Sequence, residues 1–195
     1  MAGWQVGSAD EARAARDAGC DLIVAQAIEA GGHVRGTLEL LPRLDEVRPL
    51  IELPLIAAGG IGTGPDMAAA LRAGADGVRV GTRFLASTGS IAHPLYVEAL
   101  IEASAEDTVI TTAFGDGWPD APHRVLKSAV TAGEALGAAQ SWGPDWPSSD
   151  SDGPVEARAL YAGRSVGAIT SSQSAAQIVA ELVEEAGPLL SPTSH

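Results

Sequence analysis

One histidine of this sequence stands where proton chemistry is at home. His33 follows a glycine pair in Ala30-Gly31-Gly32-His33, just downstream of the apolar run Asp21-Leu22-Ile23-Val24-Ala25. Imidazole exchanges a proton near neutral pH and is the commonest general base. The plainer use of such a residue is to hydrogen-bond neighbouring backbone. Two more glycine-rich stretches follow apolar runs, Ala58-Gly59-Gly60-Ile61-Gly62 and Gly81-Thr82. Glycines at strand ends let backbone N–H groups come close to a ligand, because no Cβ intervenes. Any one of them could be an ordinary strand-to-helix turn. Three in succession, one ending in histidine, favour a ligand site.

The other titratable candidates read less sharply. His93 precedes Pro94 and reads as a helix-entry residue, His123 in Ala-Pro-His-Arg as a loop residue, and His195 as an exposed terminal residue. Cys20 follows the helix-ending Gly19 and reads as a small packing residue. Glu29 and Asp66 make no recognisable metal set and no His/Cys spacing suggests zinc, so no metal is expected. The tryptophans are scattered, and filling a core or a lid is their ordinary use.

The elements that must position these residues alternate. Trp4 to Val6 is a short apolar run, and Ser8 with Glu11 has capping-box spacing ahead of an Ala9–Ala18 helix. Asp21 to Ala25 is apolar on both faces, as in a parallel strand covered on both sides. A polar, glycine-rich turn from Gln26 to Gly36 leads to a helix over Leu41–Val47. Pro54–Ala57 reads as a third strand with a helix at Asp66–Ala73, and Gly77–Val80 as a fourth strand. Repeated β-α order predicts a parallel sheet. If the third and fourth strands are the last two of a (β/α)8 barrel, the Gly60 and Gly81 loops sit where such barrels commonly bind phosphate. Beyond Val80 the rhythm stops. A helix over Pro94–Ala103, a short strand over Thr108–Thr112, a helix over Val125–Leu136, a mobile loop over 141–154 and an amphipathic helix over Ser174–Glu185 are expected, with fraying after Gly187.

Composition bounds the partners. The chain has 195 residues with net charge −13, and 46% of them are hydrophobic. That is ample for a packed core and too apolar for disorder. So acidic a chain repels phosphate backbones, which argues against nucleic acid as a partner. No apolar run reaches the roughly 18 residues of a membrane span, so no membrane partner is expected. A single cysteine suits a reducing compartment, and a cytoplasmic location is expected.

The segment Ala25-Gln26-Ala27-Ile28-Glu29-Ala30-Gly31-Gly32-His33 resembles the signature of nitronate monooxygenases, formerly called 2-nitropropane dioxygenases. The resemblance continues through Ala57–Ile61, Val80–Leu85, Tyr161-Ala162-Gly163 and the final helix. It implies a TIM-barrel fold, FMN bound without covalent attachment, and oxidation of a small nitronate or nitroalkane with O2. Carried over by motif, Gln26 and Gly31 would contact the flavin, and Gly60 with Arg79, Val80, Gly81 and Thr82 would hold its ribityl phosphate. His33 would be the catalytic base or orient the substrate. The family often has Gly where Ala27 stands and Gln where Arg79 and Arg164 stand; an Arg79 fork can still pair with phosphate.

The resemblance aligns with the C-terminal part of the family. A barrel needs eight strands and roughly 250 residues, whereas four strands precede residue 81. The expected architecture is therefore α/β: the C-terminal half of a TIM (β/α)8 barrel with a helical C-terminal extension. Residues 1–92 would form a partial FMN-binding barrel of the last four βα units, and 93–195 a helical lid region whose last helix packs on the barrel. Strands one to four would be missing, leaving an unpaired edge. Self-association or a partner half-barrel is expected to cover it, with weak FMN retention otherwise. An FMN-dependent enoyl reductase using NAD(P)H has a similar Ala-Gly-Gly-His loop and is the nearest alternative. A non-catalytic fragment is the alternative of a different class.

Overall fold

The computed structural model describes residues 1–118, 120–137 and 143–191. In chain order the elements are β1 (Gly3–Val6), α1 (Ala9–Asp17), β2 (Leu22–Gln26), β3 (Gly32–His33), α2 (Leu40–Val47), β4 (Leu55–Ala58), α3 (Gly64–Arg72), β5 (Gly77–Arg79), α4 (Thr82–Leu85), α5 (Pro94–Glu102), β6 (Thr108–Thr111), β7 (His123–Leu126), α6 (Lys127–Leu136) and α7 (Ala175–Leu190). They form two compact units. The first holds Met1–Glu29, Arg35–Val80 and the stretch from Ala176 on; the second holds Ala30–Val34 and Gly81–Ala175.

The first unit is built on a four-stranded sheet in the order β1-β2-β4-β5. Every pair is parallel, with Trp4 opposite Ile23, Ile23 opposite Leu55, and Ala58 opposite Arg79. The α/β reading from the β-α rhythm thus holds. Val6, Ile23, Ala25, Leu55 and Ala57 are buried with Ala12, Ala15, Leu44 and Val47 of α1 and α2. The helix boundaries follow from their caps. Ser8 Oγ accepts from the Glu11 N–H at 3.2 Å, and the Glu11 carboxylate reaches back to the Gly7 N–H at 2.6 Å. Gly19 closes the turn after α1 at φ +79°. Thr63 and Asp66 form a full capping box, so α3 begins at Gly64 rather than at Asp66.

The last helix runs further than the sequence suggests, to Leu190 through Pro188. Its end is tied down rather than frayed. The Glu185 carboxylate accepts from the Gly64 N–H at 2.7 Å, and the Arg72 guanidinium donates to the Leu189 carbonyl at 3.2 Å.

The second unit contains a three-stranded antiparallel sheet in the order β3-β7-β6. Tyr96, Leu100, Phe114, Val125, Leu126, Leu160 and Val166 are buried in its core. The Pro94 helix and the Thr108 strand form as expected, and the His93 side chain accepts from the Leu95 N–H at 3.2 Å, at the entry to α5. Three expectations are corrected. His123 is not a loop residue; it opens β7, and its side chain is wholly buried. Val125 and Leu126 belong to that strand, not to the following helix, which starts at Lys127. Part of the Gln26–Gly36 turn pairs as β3. A two-residue strand leaves no alternating pattern to read, and His-Arg-Val-Leu lacks one because all four residues are buried. The 141–154 loop is fixed where it is described. Pro147 accepts from the His93 N–H at 3.1 Å, and the Ser149 N–H donates to Ile91 at 2.7 Å. Ser141, Trp142 and His195 lie outside the described residues.

Gly64 has no room for a side chain, because an added Cβ would overlap Glu185 and lie 2.7 Å from the Ala186 nitrogen. Gly64→Ala is expected to destabilise the protein by about 1–3 kcal/mol, as overpacking does. Gly187→Ala, where a Cβ meets nothing, is expected to be neutral or stabilising by up to about 1 kcal/mol. Urea unfolding midpoints of the two variants check the contrast; equal midpoints would show that α7 yields freely at Gly64.

Candidate functional site

His33 lies in β3, and the strand register sets its surroundings. His33 stands directly opposite His123 in the β3–β7 pair, with Gly32 opposite Arg124. Its ring stacks on Trp118 with centroids 4.4 Å apart and planes 28° apart. The His123 ring meets it nearly edge-on at 5.4 Å, and Tyr161 lies tilted at 5.9 Å. His123 and Tyr161 are themselves perpendicular at 5.8 Å. One imidazole therefore sits among three rings, two of which sequence reasoning did not connect with it.

Each supporting ring is held. His123 Nε2 accepts from the Phe114 N–H at 3.3 Å, and its Nδ1 faces the Ala121 carbonyl at 2.9 Å. A carbonyl only accepts, so these partners assign the hydrogen to Nδ1. The Tyr161 hydroxyl donates to the Pro144 carbonyl at 2.7 Å. The buried Tyr96 hydroxyl donates to the Tyr161 carbonyl. Trp118 is 57% exposed and covers His33 from the solvent side of the pair. Burial pushes the proton affinity of His33 below the ordinary histidine range, and His123 adds to that push. Burial raises Tyr161, with Asp145 adding to it, so that this hydroxyl keeps its proton.

The remaining expected site residues divide between the units. In the first, the buried Gln26 takes the Arg35 N–H on its Oε1 at 2.9 Å. Gly60 adopts φ +73°, and Glu29 packs where a Cβ would stand, 3.1 Å away. Glu29 in turn accepts from the Leu40 N–H at 3.1 Å, at the start of α2. Gly59 and Gly60 border a cleft of about 290 Å³ whose lining includes Glu29, Glu39 and Asp66. Arg79 is exposed at the end of β5, followed by Val80, and donates to Gln5 Oε1 at 2.8 Å. In the second unit, Gly31 packs so closely on Ala162-Gly163 that a Cβ would lie 2.8 Å from the Ala162 carbonyl carbon. Thr82 Oγ1 accepts from the Gly163 N–H at 2.9 Å, whereas the Cβ direction of Gly81 is open. Among the described residues, no group of His, Cys, Asp and Glu could hold a metal ion, and no helix is long and apolar enough to cross a membrane.

Residues 2–145 match the nitronate monooxygenase family. The chain belongs to that family. A probable nitronate monooxygenase from Staphylococcus aureus (strain Newman) is 44% identical over 119 residues, which is 55% of this chain and 33% of that protein. Among solved structures, FabK from Thermotoga maritima superposes with a TM-score of 0.77 at 30% identity, over 95% of this chain and 60% of its own. A nitroalkane oxidase from Streptomyces ansochromogenes gives 0.75 at 28% identity, over 96% and 57%. This member of the family thus spans about a third of the curated relative and under two thirds of the solved chains it matches.

The lowered proton affinity of His33 carries a stability signature. A group that binds its proton less readily in the folded state stabilises the fold above the unfolded pKa, near 6.5 for histidine, and loses that contribution as pH falls. Glu11, lowered chiefly by its hydrogen bond with Arg35, and Asp107, lowered by Ser104, act in the same sense at more acid pH. The unfolding free energy is expected to drop between pH 7.5 and 5.5, and His33→Gln to flatten that drop. Urea titrations at stepped pH measure it; an identical slope in the variant would assign the proton uptake to another group.

Proposed function

We propose that this chain takes part in FMN-dependent oxidation of nitronates and nitroalkanes by O2, as the C-terminal half of a TIM-barrel site. The observation that carries the reading is His33. It closes the Ala-Gly-Gly-His segment, is stacked under Trp118, and is biased toward its proton-accepting form. A general base must be unprotonated at the working pH and held in one orientation. His33 meets both needs, and its imidazole nitrogen is the atom that takes the α-proton of a neutral nitroalkane. Trp118 excludes water from one ring face while Tyr161 and His123 limit rotation.

The fit to FMN is uneven along the expected residues. Family membership favours that cofactor. Arg79, exposed and cationic, suits an anionic phosphate; the second unit begins at Gly81, open where a Cβ would stand. Val80 joins them in sequence and offers its backbone. Gly60 contributes the left-handed turn after β4, but beside it stands the Glu29 carboxylate, so Arg79 supplies the charge compensation. Gln26, Gly31 and Thr82 serve by shaping the backbone, since each is packed or hydrogen-bonded within its own unit. FMN, when bound, supplies the electron acceptor; the residues above bind, orient and move the proton.

The test is a substrate pair on FMN-loaded protein. His33→Asn is expected to lower turnover of neutral nitroethane by about 10²–10⁴-fold, the usual worth of a general base. Oxidation of the preformed ethyl nitronate, which has no α-proton to remove, is expected to fall much less. Oxygen uptake measures both. NAD(P)H oxidation with an enoyl thioester and no oxygen uptake on nitronate would instead point to the reductase reading. Equal rates for His33→Asn and wild type would remove His33 from the chemistry.

A further inference from the structure

We propose that His123 is a positioning residue for His33, a second imidazole whose fixed ring sets the plane of the first. The inference rests on the reading of His33 as a base and goes beyond it, because the sequence placed His123 in a loop with no role.

Three observations carry it. First, the register of β3 and β7 puts the two histidines directly opposite each other, so their separation is set by a backbone ladder rather than by side-chain rotamers. Facing residues of an antiparallel pair have Cβ atoms only about 4.5–5.5 Å apart. Second, His123 is wholly buried, with both ring nitrogens engaged by backbone, Nε2 by the Phe114 N–H and Nδ1 by the Ala121 carbonyl. The ring cannot flip without breaking these contacts. Third, the His123 ring lies 5.9 Å from Phe114, 5.8 Å from Tyr161 and 5.4 Å from His33, at 61° to the His33 ring. A structural histidine needs only the first two contacts; the inclined approach to the stacked His33 ring is the additional feature.

Among the described residues, the titratable groups in ring contact with His33 include His123 from β7 and Tyr161 from the segment that bridges to Val125; Trp118, from the β6–β7 connection, does not titrate. Arg124, the next residue of β7, donates to Thr108 Oγ1 at 3.1 Å. Both His123 ring nitrogens are already engaged by backbone, so the contact of its ring with His33 is one of packing and not of hydrogen bonding.

The experiment uses the full 195-residue chain, with nitrogen-15 labelled histidine followed by NMR. In wild type, His123 is expected to show the Nδ1–H tautomer at pH 7. In His123→Phe, which keeps the bulk, and in His123→Gln, which keeps a donor and an acceptor, the titration midpoint of His33 is expected to move as its ring loses its fixed neighbour. Its contacts with Trp118 should weaken. On FMN-loaded protein, kcat for nitroethane should fall roughly tenfold, a modest share of what misplacing a catalytic group costs, with KM little changed and ethyl nitronate turnover almost unaffected. An unmoved His33 midpoint with intact Trp118 contacts in either folded variant overturns the proposal. If neither variant folds, the wild-type spectrum decides, because a hydrogen on Nε2 of His123 also overturns it. These readouts are independent of the base reading: a His33→Asn protein with unchanged nitroethane turnover defeats that reading while leaving the NMR outcome to judge His123.

Discussion

The candidate site depends on how the chain leaves β2 and comes back. Gln26, the last residue of that strand, turns its side chain onto the Arg35 N–H nine residues later. Gly36 then passes so close to the Gln26 carbonyl that a Cβ would overlap it, and Gly7 crosses Arg35 so closely that an added Cβ would lie 2.6 Å from the Arg35 carbonyl carbon. A buried amide that satisfies a backbone donor is expensive to remove, because the donor would be left unpaired. Within the first unit, the chain is therefore held where it leaves at Gln26 and where it returns at Arg35.

Between those residues stand Gly32 and His33, and β-pairing holds them. His33 and Gly32 pair with β7, and the Val34 N–H donates to the Pro122 carbonyl at 2.9 Å. Gly31 allows this course by lying flush on Ala162-Gly163, and Gly32 by adopting φ +76°. The two glycines of the Ala-Gly-Gly-His segment thus have separate physical uses, close backbone contact and left-handed geometry. A residue with a side chain at either position would displace the histidine that follows.

Much of the first unit was legible because its signals are local. Ser8 and Gly19 mark helix ends through contacts within a few residues, and both-faces apolar runs mark buried parallel strands, whereas the Thr63 cap went unread and α3 begins two residues before the expected Asp66. His33 was legible through its glycine neighbours. The second unit was harder for the complementary reason. β3 has two residues and β7 is buried throughout, so neither carries a period, and their partnership joins residues ninety positions apart. That His123 faces His33 could be read only from that pairing. Two signals stood in the sequence without a way to weigh them: a histidine that opens an apolar Val-Leu run, and an exposed-looking Trp118 a few residues before it.

Charge completes the picture. In a chain of net charge −13, an anionic ligand needs local cation or oriented N–H groups to offset the general field. The two strands whose ends bear on this are paired, Ala58 of β4 opposite Arg79 of β5. On the β4 side the lining is acidic, with Glu29, Glu39 and Asp66 around Gly59 and Gly60. Two of those carboxylates already have work: Glu29 holds the Leu40 N–H, and Asp66 takes the Gly62 and Thr63 N–H groups at 3.1 and 2.9 Å. They satisfy helix starts that would otherwise attract an anion. Arg79, exposed at the end of β5, stands where the resemblance leads one to expect a glutamine, and it donates to Gln5 Oε1. The arginine and the carboxylates thus divide the charge around two paired strands: negative groups cap the starts of α2 and α3, and a positive side chain ends β5.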